Sequence, residues 1–294
     1  MRDTAAVKKA AKKQLQDNWS KAFASMAIVL LSMLAAFIAE ELVNNLLQAY
    51  GVTEKFDVTK LDVTKDVYVA AQYIKDFVTT RSFMMTAVIT VFFILIRFLV
   101  LTPLHQGQTT WFYYVAEGSN DQLSKLFYYY GSNDMYVSAL SFRFSLFFKK
   151  IGYAIISFIA PAAALGMTVN QYLKFLAGGN EADKKNAILY LFITIALILL
   201  GTLLFFLLSL KLFLARYIFA RSAVNLKHAE TGKCFAQSQK LMIKNRRRVI
   251  ILFVSMLPAF LSCILIVPLL YVYPYFFCCC AELANEIIES GNNK

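Results

Sequence analysis

Long uncharged apolar runs are the feature that most restricts what this chain can fold into. Between Val249 and Ala281 the sequence contains no Asp, Glu, Lys or Arg. About 20 apolar residues in a helix are enough to cross the roughly 30 Å hydrocarbon core of a bilayer. A soluble protein could not cover this much apolar surface, since 59% of the residues are hydrophobic and only 16% are charged, against about 25% charged in soluble domains. The sequence therefore predicts an all-α, polytopic transmembrane helical bundle.

The apolar pattern predicts about six spans, with five as the alternative count. The predicted spans cover residues 22–47, 82–104, 151–169, 187–210, 249–266 and 268–288, all within one transmembrane domain, 22–294. The last apolar block is too long for one upright helix. We expect its fifth span to end near Ile266, followed by a tight turn at Val267-Pro268 and a shorter sixth helix. A single kinked helix is the alternative, and it would place the C-terminus on the other side of the membrane.

Residues 1–21 are predicted to form a basic amphipathic helix. Val7, Ala11 and Leu15 recur at a spacing of four, which places them on one face of a helix, and the lysines occupy other faces. The helix is expected to break at Asn18, because Asn tolerates the left-handed conformation that ends helices. The apolar run that follows is too long for a cleaved signal peptide.

The distribution of basic residues predicts the orientation of the chain. Residues 1–21 contain six Lys and Arg against two acidic residues, and residues 211–248 contain ten against one, whereas residues 51–81 are balanced at five against five. Lys and Arg accumulate on the cytoplasmic side of membrane proteins. We therefore expect a multi-pass protein of the inner or plasma membrane with a cytoplasmic N-terminus. Residues 51–81 form the extracytoplasmic loop, 105–150 a cytoplasmic interfacial segment, and 211–248 a basic cytoplasmic segment.

The segment before the fifth predicted span is a second basic amphipathic helix. Three of its lysines fall within about 40° of one another at 100° per residue, with Phe235 and Met242 on the opposite side. Such a helix is expected to turn its lysines towards anionic headgroups and its apolar residues towards acyl chains. The candidate lipid contacts are Lys233, Lys240, Lys244, Arg246, Arg247 and Arg248. A plain topology anchor is the alternative. Asn245 is expected to end this helix.

A candidate functional break follows the second predicted span. Pro103 and Gly107 are expected to interrupt the helix there, and Arg97 and His105 supply polar groups beside the interruption. A snorkelling arginine and a simple helix end are the alternative. Counting helical rise from the flanking charges places Arg97 near the inner face and Glu40 near the outer face. The two charges are therefore not expected to pair.

The sequence gives little sign of catalysis. Walker loops, G-x-S-x-G, H-E-x-x-H and C-x-x-C motifs are absent from it, and it has only two histidines, so no cofactor or metal is expected. An enzyme would depend on Arg97, His105 and Glu117. Cys278–Cys280 are expected to be small buried hydrophobes, with acylation or soft-metal binding as alternatives. The aromatic runs Trp111–Tyr114 and Phe127–Tyr130 are predicted to lie at the membrane interface, with substrate stacking as the alternative.

Five short motifs carry a resemblance to a known family. They are KKAAKKQLQDNWSKAF, TPLHQGQTTWFYYVAEG, LFYYYG, CFAQSQKLMIKN and YVYPYFFCCCAELANEI. Together they resemble an uncharacterised bacterial family of integral membrane proteins, the group called domain of unknown function 975. The resemblance covers most of the chain. It implies six helices and a distant similarity to the membrane domain of some glycerophosphodiester phosphodiesterases. Asn18 and Asn245 stand where that family commonly has Gly, and the family has no assigned activity.

The function predicted from these features is that of a non-enzymatic accessory or scaffold protein. It would act through contacts with the lipid bilayer, including anionic headgroups, and with proteins that the sequence does not identify. Binding of nucleic acid is not expected of a basic segment that lies at a membrane. The alternative is a transporter or channel-like protein for a small solute or a lipid, because broken helices often line such pathways.

Overall fold

The structure is a computed structural model that describes residues 3–53, 72–73, 76–119, 122–176, 181–224, 230–263 and 266–292. All regular secondary structure bounded within these ranges is helical, which confirms the all-α class for the described residues. The α-helices are α1 (Thr4–Gln16), α2 (Trp19–Ala49), α3 (Arg81–Ala116), α4 (Asn133–Leu176), α5 (Glu181–Leu210), α6 (Ala215–Val224), α7 (Thr231–Ser262) and α8 (Ile266–Asn292). A 3-10 helix covers Leu123–Tyr130. Most of the predicted loop 51–81 lies outside the described residues.

Among the described residues, four helical stretches are long and apolar enough to cross a membrane. They are Trp19–Ala49, Arg81–Ala116, Asn133–Phe175 and Glu181–Ser222, and they contain the first four predicted spans. Their apolar side chains lie on the protein surface; Leu31 and Val88, for example, are each 63% exposed. A bilayer accepts such a surface and water does not.

The last apolar block forms two helices, so the alternative of one kinked helix is wrong. α7 ends at Ser262 and α8 begins at Ile266. The helix end therefore precedes the predicted turn, and Pro268 is the third residue of α8. Proline is tolerated there because the first amide groups of a helix have no partner within the helix. The break leaves each apolar half shorter than the roughly 20 residues that a full span needs, so a count of six spans stays a prediction.

The predicted break at Pro103 and Gly107 is wrong, because α3 runs through both residues. Gly107 serves a different purpose. A Cβ atom built at Gly107 would overlap the backbone carbonyl of Leu126 in the 3-10 helix, so this glycine lets the two helices approach closely. Proline inside a helix removes one backbone hydrogen bond and crowds the carbonyl four residues back, yet the helix continues through the buried Pro103.

The two asparagines expected to end helices behave differently. Asn18 lies between the end of α1 and the start of α2, as predicted, and its side-chain amide donates to the Gln14 carbonyl over 3.1 Å. Asn245 lies inside α7, so the expectation for this residue is wrong. Its side-chain amide donates to the carbonyl of Leu241, one turn back, over 2.8 Å. This local bond satisfies the amide without a break in the helix.

Contacts divide the chain into two compact units. The first unit is Met1–Trp19 with Gln106–Lys294, and the second is Ser20–His105. The core of the first unit contains an aromatic stack, defined here as Tyr129, Phe219, Phe142 and Phe235. Its successive ring centroids lie 5.9, 4.4 and 5.3 Å apart. The stack joins the 3-10 helix, α6, α4 and α7, and such ring pairs add stability beyond the burial of their area.

Three residues of the aromatic run near the end of α3 also lie in the core of the first unit, so they do not form a lipid-facing aromatic belt. Trp111, Phe112 and Tyr113 have no exposed surface. Phe112 packs on Phe277 of α8 with ring centroids 5.6 Å apart. The segment 105–150 is therefore divided among the end of α3, the 3-10 helix and the beginning of α4, which starts 18 residues before the predicted third span. Some of its aromatic side chains, such as Tyr129 and Phe142, are buried against other helices of the first unit, whereas Phe127, Tyr130, Phe144, Phe147 and Phe148 are exposed.

α1 buries its predicted apolar face against α8. Val7, Ala11 and Leu15 are at most 1% exposed, which confirms the face, although protein covers it. The hydroxyl of Tyr275 donates to the Lys8 carbonyl over 3.2 Å. Cys278 lies against the Ala11 carbonyl at 3.6 Å. Cys278–Cys280 are all buried in the fold, in agreement with the expectation of small hydrophobes.

α4 and α5 form the most extensive helix pair of the first unit. Gly201 of α5 faces the backbone of α4, and a Cβ atom there would lie 2.5 Å from the Ser157 carbonyl oxygen. The hydroxyl groups of Thr168 and Thr194 are 2.8 Å apart across the same pair. Small residues and hydroxyl bonds are the usual means by which transmembrane helices pack closely.

Candidate functional site

The basic face of α7, defined here as Lys233, Lys240, Lys244 and Arg247, lies on the surface of the first unit. The opposite side of the helix is buried: Phe235 is 3% exposed and Met242 is not exposed. The Ser238 hydroxyl on that side donates to the Lys211 carbonyl over 2.8 Å. The predicted amphipathic pattern is thus present. The expectation that its apolar side faces acyl chains is wrong, because the aromatic stack and neighbouring helices cover that side.

The remaining two candidate lipid contacts are less accessible. Arg248 forms an ion pair with Glu286 of α8, with nitrogen and oxygen 2.9 Å apart and the two side chains 20% and 16% exposed. A guanidinium held by a carboxylate in this way ties α7 to α8 and is less available to a headgroup. Arg246 is half-buried. Lys233, in contrast, pairs only with the exposed Glu230, and exposed pairs of this kind are weak.

The second unit contains an ion pair that the sequence argument excluded. A guanidinium nitrogen of Arg97 in α3 donates to a carboxylate oxygen of Glu40 in α2. The guanidinium also lies 5.9 Å from the centre of the Phe37 ring. Helical rise places Arg97 and Glu40 at opposite faces of the membrane only if each helix enters the lipid at its flanking charge. Two groups in contact must lie at the same level, so at least one of those flanks lies outside the hydrocarbon.

The other residues of the predicted break lie further along α3. Pro103 is buried and His105 is half-buried within the second unit. Gly107 belongs to the first unit, where it contacts the 3-10 helix. The partner that the structure gives Arg97 is Glu40.

A polar cavity in the first unit was missed by the sequence argument. Its volume is about 610 Å³, and it lies between α1, the end of α3 and α8. Its lining consists of Ala10, Lys13, Gln14, Ala116, Glu117, Glu282, Asn285 and Glu289. The spacing of the three α8 residues, i, i+3 and i+7, is the signal that could have placed them on one face. Three carboxylates against one lysine make this cavity acidic in a chain whose net charge is +12.

Electrostatics in the acidic cavity favour a bound proton. Burial raises the pKa of the Glu117 carboxyl; a hydrogen bond from Tyr113 and the charge of Arg221 lower it in part, and the nearby Glu289 adds a smaller increase. The hydroxyl of Tyr113 donates to the side-chain oxygen of Asn285 over 3.0 Å at the same place. Within the described residues, no group of three His, Cys, Asp or Glu side chains is arranged to hold a metal ion. The raised pKa of Glu117 suits the cavity to hold a proton.

These features define the class of protein as a helical one with several helices suited to cross a membrane. Comparisons with protein-family models, with curated proteins and with solved structures gave no match.

Proposed function

We propose that this chain is a non-enzymatic accessory or scaffold protein of the inner or plasma membrane. In this proposal the basic face of α7 binds anionic lipid headgroups on the cytoplasmic side, and other surfaces bind protein partners. The observation that carries it is a helix with exposed Lys240, Lys244 and Arg247 on one side and a packed aromatic stack on the other. The packed side fixes the direction in which the cations point. A basic residue near an anionic leaflet contributes about 1 kcal/mol.

Neutralising two lysines of this face tests the lipid contact. We expect Lys240→Gln with Lys244→Gln to weaken binding of phosphatidylglycerol by about 2 kcal/mol, on the order of thirtyfold. Native mass spectrometry of the purified protein with phosphatidylglycerol or phosphatidylcholine measures this. The matched control is Lys184→Gln with Lys185→Gln, since both lysines are exposed and lie on the opposite predicted side. Equal losses in the two variants, or none in either, would contradict the proposal.

Thiol labelling in intact cells tests the proposed orientation. Cys234 on α7 is only 3% exposed, and burial raises its pKa, so it is expected to react slowly from either side. A cysteine placed by Lys240→Cys is exposed and should react rapidly with a membrane-permeant reagent only. Protection of the native Cys234 in the same experiment controls for unfolding. Rapid reaction of the Lys240→Cys variant with an impermeant reagent would overturn the proposed topology.

Membership of the bacterial family called domain of unknown function 975 stays part of the proposal, supported by the five sequence motifs. The alternative function, transport of a small solute or lipid, rests on broken segments near Pro103–Gly107 and Pro268. α3 is continuous through Pro103 and Gly107, whereas α7 ends at Ser262 and α8 begins at Ile266, so the second break still supports this alternative. Flux measurements on proteoliposomes separate the two functions, because a scaffold supports no flux.

A further inference from the structure

A small cavity at the junction of four helices brings basic and aromatic side chains together. It has a volume of about 140 Å³ and lies in the first unit among α4, the end of α5, the start of α6 and α7. Its lining includes the basic residues Lys150 and Arg216 and the aromatic residues Phe206, Phe213 and Phe253. The volume is several times the roughly 30 Å³ that one water molecule occupies in the liquid. The cavity therefore has room for a small polyatomic group.

The cations around this cavity repel one another. Lys150 and Arg216 are both half-buried, and Arg143, two helical turns before Lys150 on the same face of α4, adds its charge to both. Among the described residues, none of these three side chains forms an ion pair with a carboxylate. Partly buried like charges destabilise one another unless an opposite charge lies between them. A negatively charged group bound among these three cations would therefore be stabilised by them.

A neutral hydrogen-bond donor completes the arrangement. The Ser209 hydroxyl lines the same cavity, its oxygen is enclosed, and it has no hydrogen-bond partner in the described part of the chain. Two cations and a hydroxyl are the groups that proteins commonly direct at phosphate oxygens. We propose that the cavity binds a phosphate group, either the phosphodiester of a phospholipid headgroup or a free phosphate or phosphate ester. The phenyl rings of the lining would pack against the adjoining carbon atoms of such a ligand.

This site does not depend on the basic face of α7, because the two sets share no residue. Charge-assisted hydrogen bonds contribute enough that the loss of one partner lowers affinity on the order of tenfold or more. We expect Lys150→Gln and Arg216→Gln each to cause such a loss. The variant Lys149→Gln is the matched control, since Lys149 is the adjacent residue on α4 and lies over the Phe235 ring instead.

The experiment uses the purified full chain in detergent with two probes. Calorimetric titration with inorganic phosphate measures binding of the free anion, and native mass spectrometry with dihexanoyl phosphatidylglycerol measures binding of a lipid headgroup. Binding of either probe that is weakened by Lys150→Gln and retained by Lys149→Gln supports the site, and the probe that binds identifies the source. Absence of binding by wild type to both probes, or equal losses in the two variants, would overturn it.

Thermal unfolding separates the site from a general effect on folding. Because the cations repel one another in the empty cavity, Lys150→Gln is expected to raise the melting temperature without phosphate and to abolish the increase that phosphate causes. Lys150→Arg keeps the charge and should retain that increase. A lower melting temperature for Lys150→Gln, with phosphate still stabilising the variant, would show that the lysine is only structural.

Discussion

The ion pair between Arg97 and Glu40 allows a demanding test of the second unit. The variants are Glu40→Gln, Arg97→Gln and the double variant. Each single variant leaves one charge among apolar side chains, and the double variant removes both charges while it keeps the size of the Glu40 side chain. If the pair joins α2 to α3 within apolar surroundings, the double variant should lose much less stability than the sum of the losses in the two single variants.

The magnitude follows from how far the two side chains are enclosed. Glu40 is 14% exposed and Arg97 is 29% exposed. Removal of one partner from a fully buried pair costs about 3–5 kcal/mol, and a lone arginine at the centre of a membrane helix costs about 2.5–3.5 kcal/mol. Arg97 is less enclosed than a fully buried residue and can partly snorkel. We therefore expect Glu40→Gln to cost about 2–3 kcal/mol, a thirtyfold to hundredfold change in the unfolding equilibrium.

Reversible unfolding with sodium dodecyl sulfate in mixed micelles measures these free energies. The double variant should lie close to wild type, because replacing both members of a buried pair is often nearly neutral. The coupling energy of the cycle, which is the summed loss of the two single variants minus the loss of the double variant, should then be at least about 2 kcal/mol. A coupling energy below about 0.5 kcal/mol, the scale of an exposed pair, would refute the contact. Strictly additive losses would do the same.

Two further predictions concern the first unit. Gly107→Ala should lower the free energy of unfolding by about 1–3 kcal/mol, because the added methyl group would overlap the Leu126 carbonyl. Gly166→Ala is the control and should have little effect, since a Cβ atom there meets open space. Equal losses in the two variants would contradict the close contact at Gly107. Glu117→Gln should stabilise the protein at pH 8, and its advantage should vanish well below the ordinary carboxyl pKa. The Glu117 carboxyl holds its proton more tightly in the folded state than in the unfolded chain, so its deprotonation at higher pH lowers the stability of the wild type. A stability difference between Glu117→Gln and wild type that does not change with pH would contradict a raised pKa.

Local periodicity in the sequence was a reliable guide to which residues share a face of a helix. Val7, Ala11 and Leu15 form one buried face, and Phe235 and Met242 form another. Periodicity does not reveal what covers a face. Protein covers both faces, although a bilayer was expected on the α7 face. The sequence of one helix shows which of its faces is apolar, but it does not show whether lipid or another helix covers that face.

Features that depend on pairs of distant residues were beyond the sequence. Pro103 and Gly107 are ordinary helix-breaking residues, and only the approach of the 3-10 helix explains why the glycine lies inside a helix. The pairing of Glu40 with Arg97 required knowledge of how the two helices are displaced along their axes. The acidic cavity and the cavity lined by Lys150 and Arg216 each combine side chains from at least three helices. The sequence of a single segment does not indicate such a combination.

The contact between the first helix and the last has a consequence for biosynthesis. The residues that meet, Lys8 with Tyr275 and Ala11 with Cys278, are each 267 positions apart. A ribosome adds about 5–20 residues per second, so α1 emerges roughly 15 to 50 s before its partner exists. During that interval α8 cannot cover the apolar face of α1, so this face is available to a membrane surface or a chaperone. A basic amphipathic helix of this kind is able to bind an anionic surface, so we expect such binding to protect α1 until α8 has been made.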